Sequence, residues 1–120
     1  MEKNLTEIVW TSPAKDDLKE IFEFLAKLSE EGAFRVIEKI LDKVEILRGD
    51  SPGIGQREPL LSHKPEEYRY LVEGNYKIIY RVKGNKIVIN TVFDARQNPK
   101  KMKVKVERRG KSVGDKKNKG

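Results

Sequence analysis

The sequence contains no cysteine and a single histidine, His63. Disulfides and thiolate metal sites are therefore excluded, and one imidazole cannot build a zinc centre, so no metal or cofactor is expected. No apolar run approaches the ~20 residues that cross a bilayer, and the opening MEKNLTEIVW lacks the apolar stretch of a secretory leader. The chain is expected in the cytoplasm, without membrane contact. Its 120 residues suit one domain of ordinary size.

An excess of one charge is also missing from most of the chain. Residues 1–96 carry 16 Lys and Arg against 17 Asp and Glu, whereas residues 97–120 carry 10 against 2, so the whole formal excess of +7 resides in the tail. That tail, QNPKKMKVKVERRGKSVGDKKNKG, has few apolar residues to offset the entropy of ordering it. It reads as a flexible basic arm over residues 100–120, appended to a domain over residues 1–99. A solubilising terminus and a polyanion-contacting arm fit it equally well.

What is present is a clear succession of patterns. EIVWT, residues 7–11, has the β-branched and aromatic content of a strand. Ser12 is then expected to cap a helix, with Pro13 at its first position and Asp16 and Asp17 near the positive end of its dipole. Ala14, Leu18, Ile21, Phe22, Leu25 and Leu28 recur at helical spacing and predict one apolar stripe. After a break at residues 29–32, Ala33, Ile37, Ile40, Leu41, Val44 and Leu47 predict a second helix, stopped by Gly49 and Pro52. Residues 50–65, with three prolines and two glycines, read as a loop packed by Ile54, Leu60 and Leu61. His63 lies in that loop, where a solvated or locally hydrogen-bonded role is expected.

Three strands follow: YRYLV (68–72), YKIIYRV (76–82) and IVINTVF (87–93). They are joined by Gly74-Asn75 and Gly84-Asn85, pairs that tolerate the positive φ of a tight hairpin. Tight pairing sets Val82 against Ile87, Tyr80 against Ile89, Ile78 against Thr91 and Tyr76 against Phe93, giving an apolar face to cover the helices. The reverse face then carries Lys77 opposite Val92, Ile79 opposite Asn90 and Arg81 opposite Val88. A tight turn pairs Arg69 with Tyr80 on the apolar face, where it needs a carboxylate such as Asp16 or Asp17. A longer turn sends Arg69 to join Lys77 and Arg81. The fold class is α+β: a strand, a two-helix hairpin and an antiparallel three-stranded meander.

The phrases SPAKDDLKEIFEFLAK, YRYLVEGNYKIIYRV and VFDARQNPKK, in that order over nearly the whole of residues 5–99, resemble the RelE/ParE superfamily of toxin–antitoxin toxins. The helix start, GNYKIIYRV and FDARQNP are more similar to the ParE branch. The resemblance implies a small α+β toxin held inactive by a cognate antitoxin. ParE-like members bind DNA gyrase; RelE-like members cut messenger RNA on the ribosome. A toxin that loses its activity and serves as a nucleic-acid-binding relative is the third possibility.

Cleavage of RNA requires a base, an acid and cations where phosphorane charge builds. Arg69, Lys77, Arg81 and Arg96 are the cations available for it. RelE-like nucleases carry a Tyr or His after the last strand, and this chain has no Tyr beyond Tyr80 and no His beyond His63. A toxin that works by binding is therefore the favoured reading. For the antitoxin surface the candidates are Phe24, Val36 and Ile79, which fall off the main stripes or on the mixed sheet face, together with Lys77 and Arg81. Cations at alternate positions of a wet sheet face also serve solvation and edge protection.

Overall fold

The computed structural model describes residues 6–49, 55–97, 100 and 106. It has the α+β architecture anticipated above. In chain order the elements are β1 (Glu7–Trp10), α1 (Ser12–Ala26), α2 (Glu30–Glu45), β2 (Gln56–Arg57), a 3-10 turn (Pro59–Leu61), β3 (Tyr68–Glu73), β4 (Tyr76–Lys83) and β5 (Lys86–Asp94). The strands form one sheet in the order β1-β5-β4-β3-β2. β1 runs parallel to β5, and the other neighbours are antiparallel. Among the described residues no helix is long and apolar enough to cross a membrane.

The helix starts differ in detail from expectation. Thr11, not Ser12, caps α1: its Oγ1 accepts from the Ala14 amide at 3.2 Å and donates to the Ile89 carbonyl at 2.8 Å. The same hydroxyl thus satisfies an orphan helix donor and ties the helix start to the sheet. Ser29 caps α2 by accepting from Gly32, so Gly32 lies inside the helix rather than in a break. α1 stops at Ala26, which leaves Leu28 past the helix and exposed. Leu41 is partly exposed as well.

Part of each stripe meets the sheet, while Phe22 packs on Phe34 of the other helix. Ala14, Ile40, Val44 and Leu47 are buried with Leu71, Tyr76, Ile78, Tyr80, Ile87 and Ile89, and Leu18, Ile21 and Trp10 pack against them. Each buried aliphatic side chain here contributes about 1.5–3 kcal/mol relative to exposure, so this layer is the main source of stability. Both tight turns are present, with Gly74 at φ 60° and Gly84 at φ 63°, a backbone region that side-chain-bearing residues avoid.

Strand register follows the tight-turn expectation up to a point. Val82 pairs with Ile87, Arg81 with Val88 and Tyr80 with Ile89. A bulge then intervenes, so Ile79 faces Thr91, Ile78 faces Val92, Lys77 faces Phe93 and Tyr76 faces Asp94. Asn90 is the extra residue, and every expected partner beyond it is displaced by one. The tight turn does place Arg69 opposite Tyr80.

The larger departure is on the reverse face. Residues 50–65 were expected to be loop throughout, but β2 pairs with β3 and the 3-10 turn folds over the sheet. Leu61, Tyr68, Ile79, Phe93 and Val106 form a second buried cluster there, with Leu60 and Tyr70 against it. Ile54 lies outside the described residues. Of the basic segment 100–120, only Lys100 and Val106 are described: Lys100 is exposed and Val106 is buried in this second cluster.

Candidate functional site

The four candidate cations are not brought together. Arg69 donates to the Gly55 carbonyl at 2.6 Å and pairs with Glu67, not with Asp16 or Asp17. Lys77 Nζ lies 2.7 Å from Glu58 Oε1 and 4.1 Å from the centre of the Tyr70 ring. Arg96 makes a two-point contact with Asp94, through Nε at 3.0 Å and Nη2 at 2.8 Å. Arg81 sits across from Tyr68, and its Nε is buried without a hydrogen-bond partner.

Strand alternation explains the dispersal. Tyr76, Ile78 and Tyr80 face the helices, so Lys77, Ile79 and Arg81 face away. Arg69, opposite Tyr80, is on the helix-facing side. Lys77 and Arg81 are four residues apart along one strand, about 13 Å, with Ile79 between them. Arg96 lies beyond the end of β5. One phosphate cannot touch all four.

Proton carriers are equally ill placed. Burial pushes the Tyr68, Tyr76 and Tyr80 hydroxyls above the ordinary phenol value, away from neutrality. Tyr80 Oη is engaged by the Gly55 amide at 2.9 Å. A Cβ at Gly55 would lie 2.6 Å from both Tyr80 Oη and the Tyr70 carbonyl, so only glycine fits beneath this latch. His63 is exposed, in the turn after the 3-10 segment.

The surface candidates also need revision. Phe24 is 63% exposed, as expected of a residue off the main stripe. Val36 is partly buried and packs against the main core. Ile79 is fully buried, because the 3-10 turn and Val106 cover the face on which it was expected to be open. Lys77 is bound to a carboxylate, so that face is no open basic platform. Glu58 was missed by the sequence reading: it is 2% exposed, accepts from the Leu60 amide and neutralises Lys77. A glutamate directly before Pro59 is a signal for that cap, but its partner on β4 is not readable locally.

A concavity lies between α1 and the C-terminal end of β5. It encloses about 540 Å³ and is lined by Glu20, Ile21, Phe24, Tyr76, Asp94 and Arg96, among others. Asp17 closes its inner end, accepting from Thr91 Oγ1 at 2.6 Å and from the Val92 amide at 3.1 Å. Asp17 is 3% exposed, and its partners include Thr91 and the Val92 amide, whereas the sequence offered it as a possible carboxylate for Arg69. The Arg96 guanidinium beside Asp94 holds that carboxyl below its ordinary range. The groove therefore has an apolar wall at Phe24 and Ile21, an aromatic floor at Tyr76 and charged ends. That composition suits a polypeptide segment better than a small reacting substrate.

Comparison with known proteins agrees with this architecture. The solved structure described as the chromosomal ParDE TA system from P. aeruginosa shares 25% identity with the chain, covering 74% of it and 95% of the neighbour at a TM-score of 0.63. The toxin-antitoxin complex RelBE2 from Mycobacterium tuberculosis has the same fold, at 14% identity over 78% of this chain and 97% of that one, with a TM-score of 0.55. No curated relative matches in sequence. Residues 8–99 match the family described as ParE toxin of type II toxin-antitoxin system, parDE. The chain belongs to the ParE toxin family of type II toxin–antitoxin systems.

Proposed function

We propose that this chain arrests growth in the cytoplasm by binding DNA gyrase, without hydrolytic chemistry of its own, and that a cognate antitoxin neutralises it. Family membership supports the toxin role, and the two neighbours, both described as toxin–antitoxin systems or complexes, support an antitoxin partner. One observation carries the choice of binding over RNA cleavage. Arg69, Lys77 and Arg96 are each held by a separate carboxylate, in three separate places, so they do not converge where phosphorane charge would build.

Inducible expression of the full chain, with and without any small protein encoded immediately beside it, tests the module. Growth arrest that the neighbour relieves is the expected result. Unimpaired growth at high expression contradicts it and favours a non-toxic nucleic-acid-binding relative, whose binding through residues 100–120 would weaken steeply with salt.

A further inference from the structure

We propose that the far end of the reverse sheet face, around the β4–β5 hairpin, docks on the phosphate backbone of duplex DNA through Arg81, Lys83 and Lys86, with the basic segment that follows Val106 alongside. Such a site goes beyond the capture of gyrase proposed above and does not depend on it.

Alternation along the strands groups these cations. Tyr80 and Ile87 face the helices, so Arg81, Lys83 and Lys86 face away from them. Lys83 stands directly opposite Lys86, about 5 Å apart at Cβ, and Arg81 lies one step back along β4, about 7 Å from Lys83. Both lysines are exposed, and among the described residues none of the three side chains makes an ion pair. Lys77, on the same face, differs. Glu58 neutralises it, and the cover formed by the 3-10 turn closes that end of the face while leaving the other open.

Stability does not explain the arrangement. Like charges directly opposite on neighbouring strands destabilise a sheet. Lysines often guard exposed edges, but β4 and β5 are interior strands, with β1 and β2 outermost. Arg81 adds a second anomaly, because its Nε is buried with no acceptor, a cost that a purely structural arginine avoids by pairing. An incoming phosphate screens the lysine repulsion and gives the guanidinium, which is only partly buried, an acceptor.

Charge and shape select the occupant. Val106, buried with Tyr68 and Ile79, fixes the start of the basic terminus on this face, and Arg108 and Arg109 follow within about 11 Å of chain. Residues 107–120 carry six Lys and Arg against Glu107 and Asp115. Two carboxylates border the patch, Glu7 beside Lys86 on β1 and Glu66 near Tyr68, and the terminus outweighs them. So extended a positive run matches a polyanion rather than a single small anion. Binding of single strands relies on exposed aromatic rings on which bases stack, and here Tyr68 is buried. Val82, the exposed apolar residue of this hairpin, pairs with Ile87 on the other face, so no apolar wedge accompanies the cations as a lipid surface requires.

Fluorescence anisotropy of labelled duplex DNA, titrated with the purified full chain, tests the site. Two unrelated sequences are expected to bind equally, with affinity falling steeply between about 50 and 200 mM salt. Lys83→Gln with Lys86→Gln is expected to weaken binding at least about fivefold and to lower the slope of log affinity against log salt by about two, at an unchanged or raised urea midpoint. Arg81→Gln is expected to lower that slope by about one more. The same exchange at Lys15 and Lys39, exposed on the helices at the other side of the sheet, is expected to leave binding unchanged. Absence of binding at about 50 mM salt overturns the proposal, as does tighter binding to single strands or to anionic phospholipid vesicles. Equal losses from the helix lysines overturn it too. Losses confined to deletion of residues 107–120 overturn it in favour of the terminus alone.

Discussion

Asp17 and Thr91, 74 positions apart in sequence, meet at 2.6 Å across the boundary between α1 and the sheet. The carboxylate also takes the Val92 amide, so one side chain on a helix does the work of a missing neighbour strand. The position of α1 over β5, and hence the groove beneath Phe24, depends on this contact.

Asp17→Ala is accordingly expected to lower unfolding free energy by about 1–3 kcal/mol, the cost of leaving a buried amide and hydroxyl without their acceptor. Thr91→Val in the same background removes one of the orphaned groups and is expected to recover part of the loss. Urea unfolding measures both, with the midpoint shifting and the slope constant. An unchanged midpoint for Asp17→Ala contradicts the contact.

Lys77 is read here as a structural partner of Glu58. Lys77→Met leaves a nearly inaccessible carboxylate uncompensated and is expected to destabilise by about 3 kcal/mol or more. Lys77→Met with Glu58→Gln is expected to be closer to wild type than Lys77→Met alone. Thermal or urea unfolding of the four proteins in this cycle provides the check, and a single variant as stable as wild type rules the role out.

Stability at low pH should depend on Arg96. Its guanidinium, by hydrogen bonding, holds the Asp94 carboxyl below the ordinary 3.8, with partial burial opposing. A carboxyl depressed in the folded state adds stability above its unfolded pKa and loses it as pH falls through the folded value. Wild type is therefore expected to exceed Arg96→Ala in urea midpoint at about pH 6, with the difference closing as pH drops well below about 4. A difference that widens on acidification contradicts the sign.

Much of this fold was legible in the sequence because its elements are locally consistent. Helical spacing, two Gly-Asn turns and alternating strands all point to the same α+β arrangement. What escaped was non-local. Asp17 lies between Ala14 and Ile21 on the apolar side of α1, but its partners, Thr91 and the Val92 amide, sit on a strand far along the chain and are not the Arg69 that the sequence suggested. Asn90 introduces a bulge that nothing in the run IVINTVF marks, and one extra residue displaced every pairing beyond it. Ile79 and Lys77 looked exposed because their cover, Leu61, Val106 and Glu58, comes from segments without periodic signals. The exposed Phe24 was found because it falls off the α1 stripe, whereas Val36 did so too and is partly buried.

The central claim is that the toxin acts by holding its target and that its scattered cations do not cut RNA. The most direct measurement titrates the purified full chain into a DNA gyrase supercoiling reaction and, in parallel, into a translating extract with labelled message. The account predicts loss of supercoiling with accumulation of gyrase-linked DNA breaks while the message stays intact. Normal supercoiling in excess toxin, with message cleaved during translation, would contradict it.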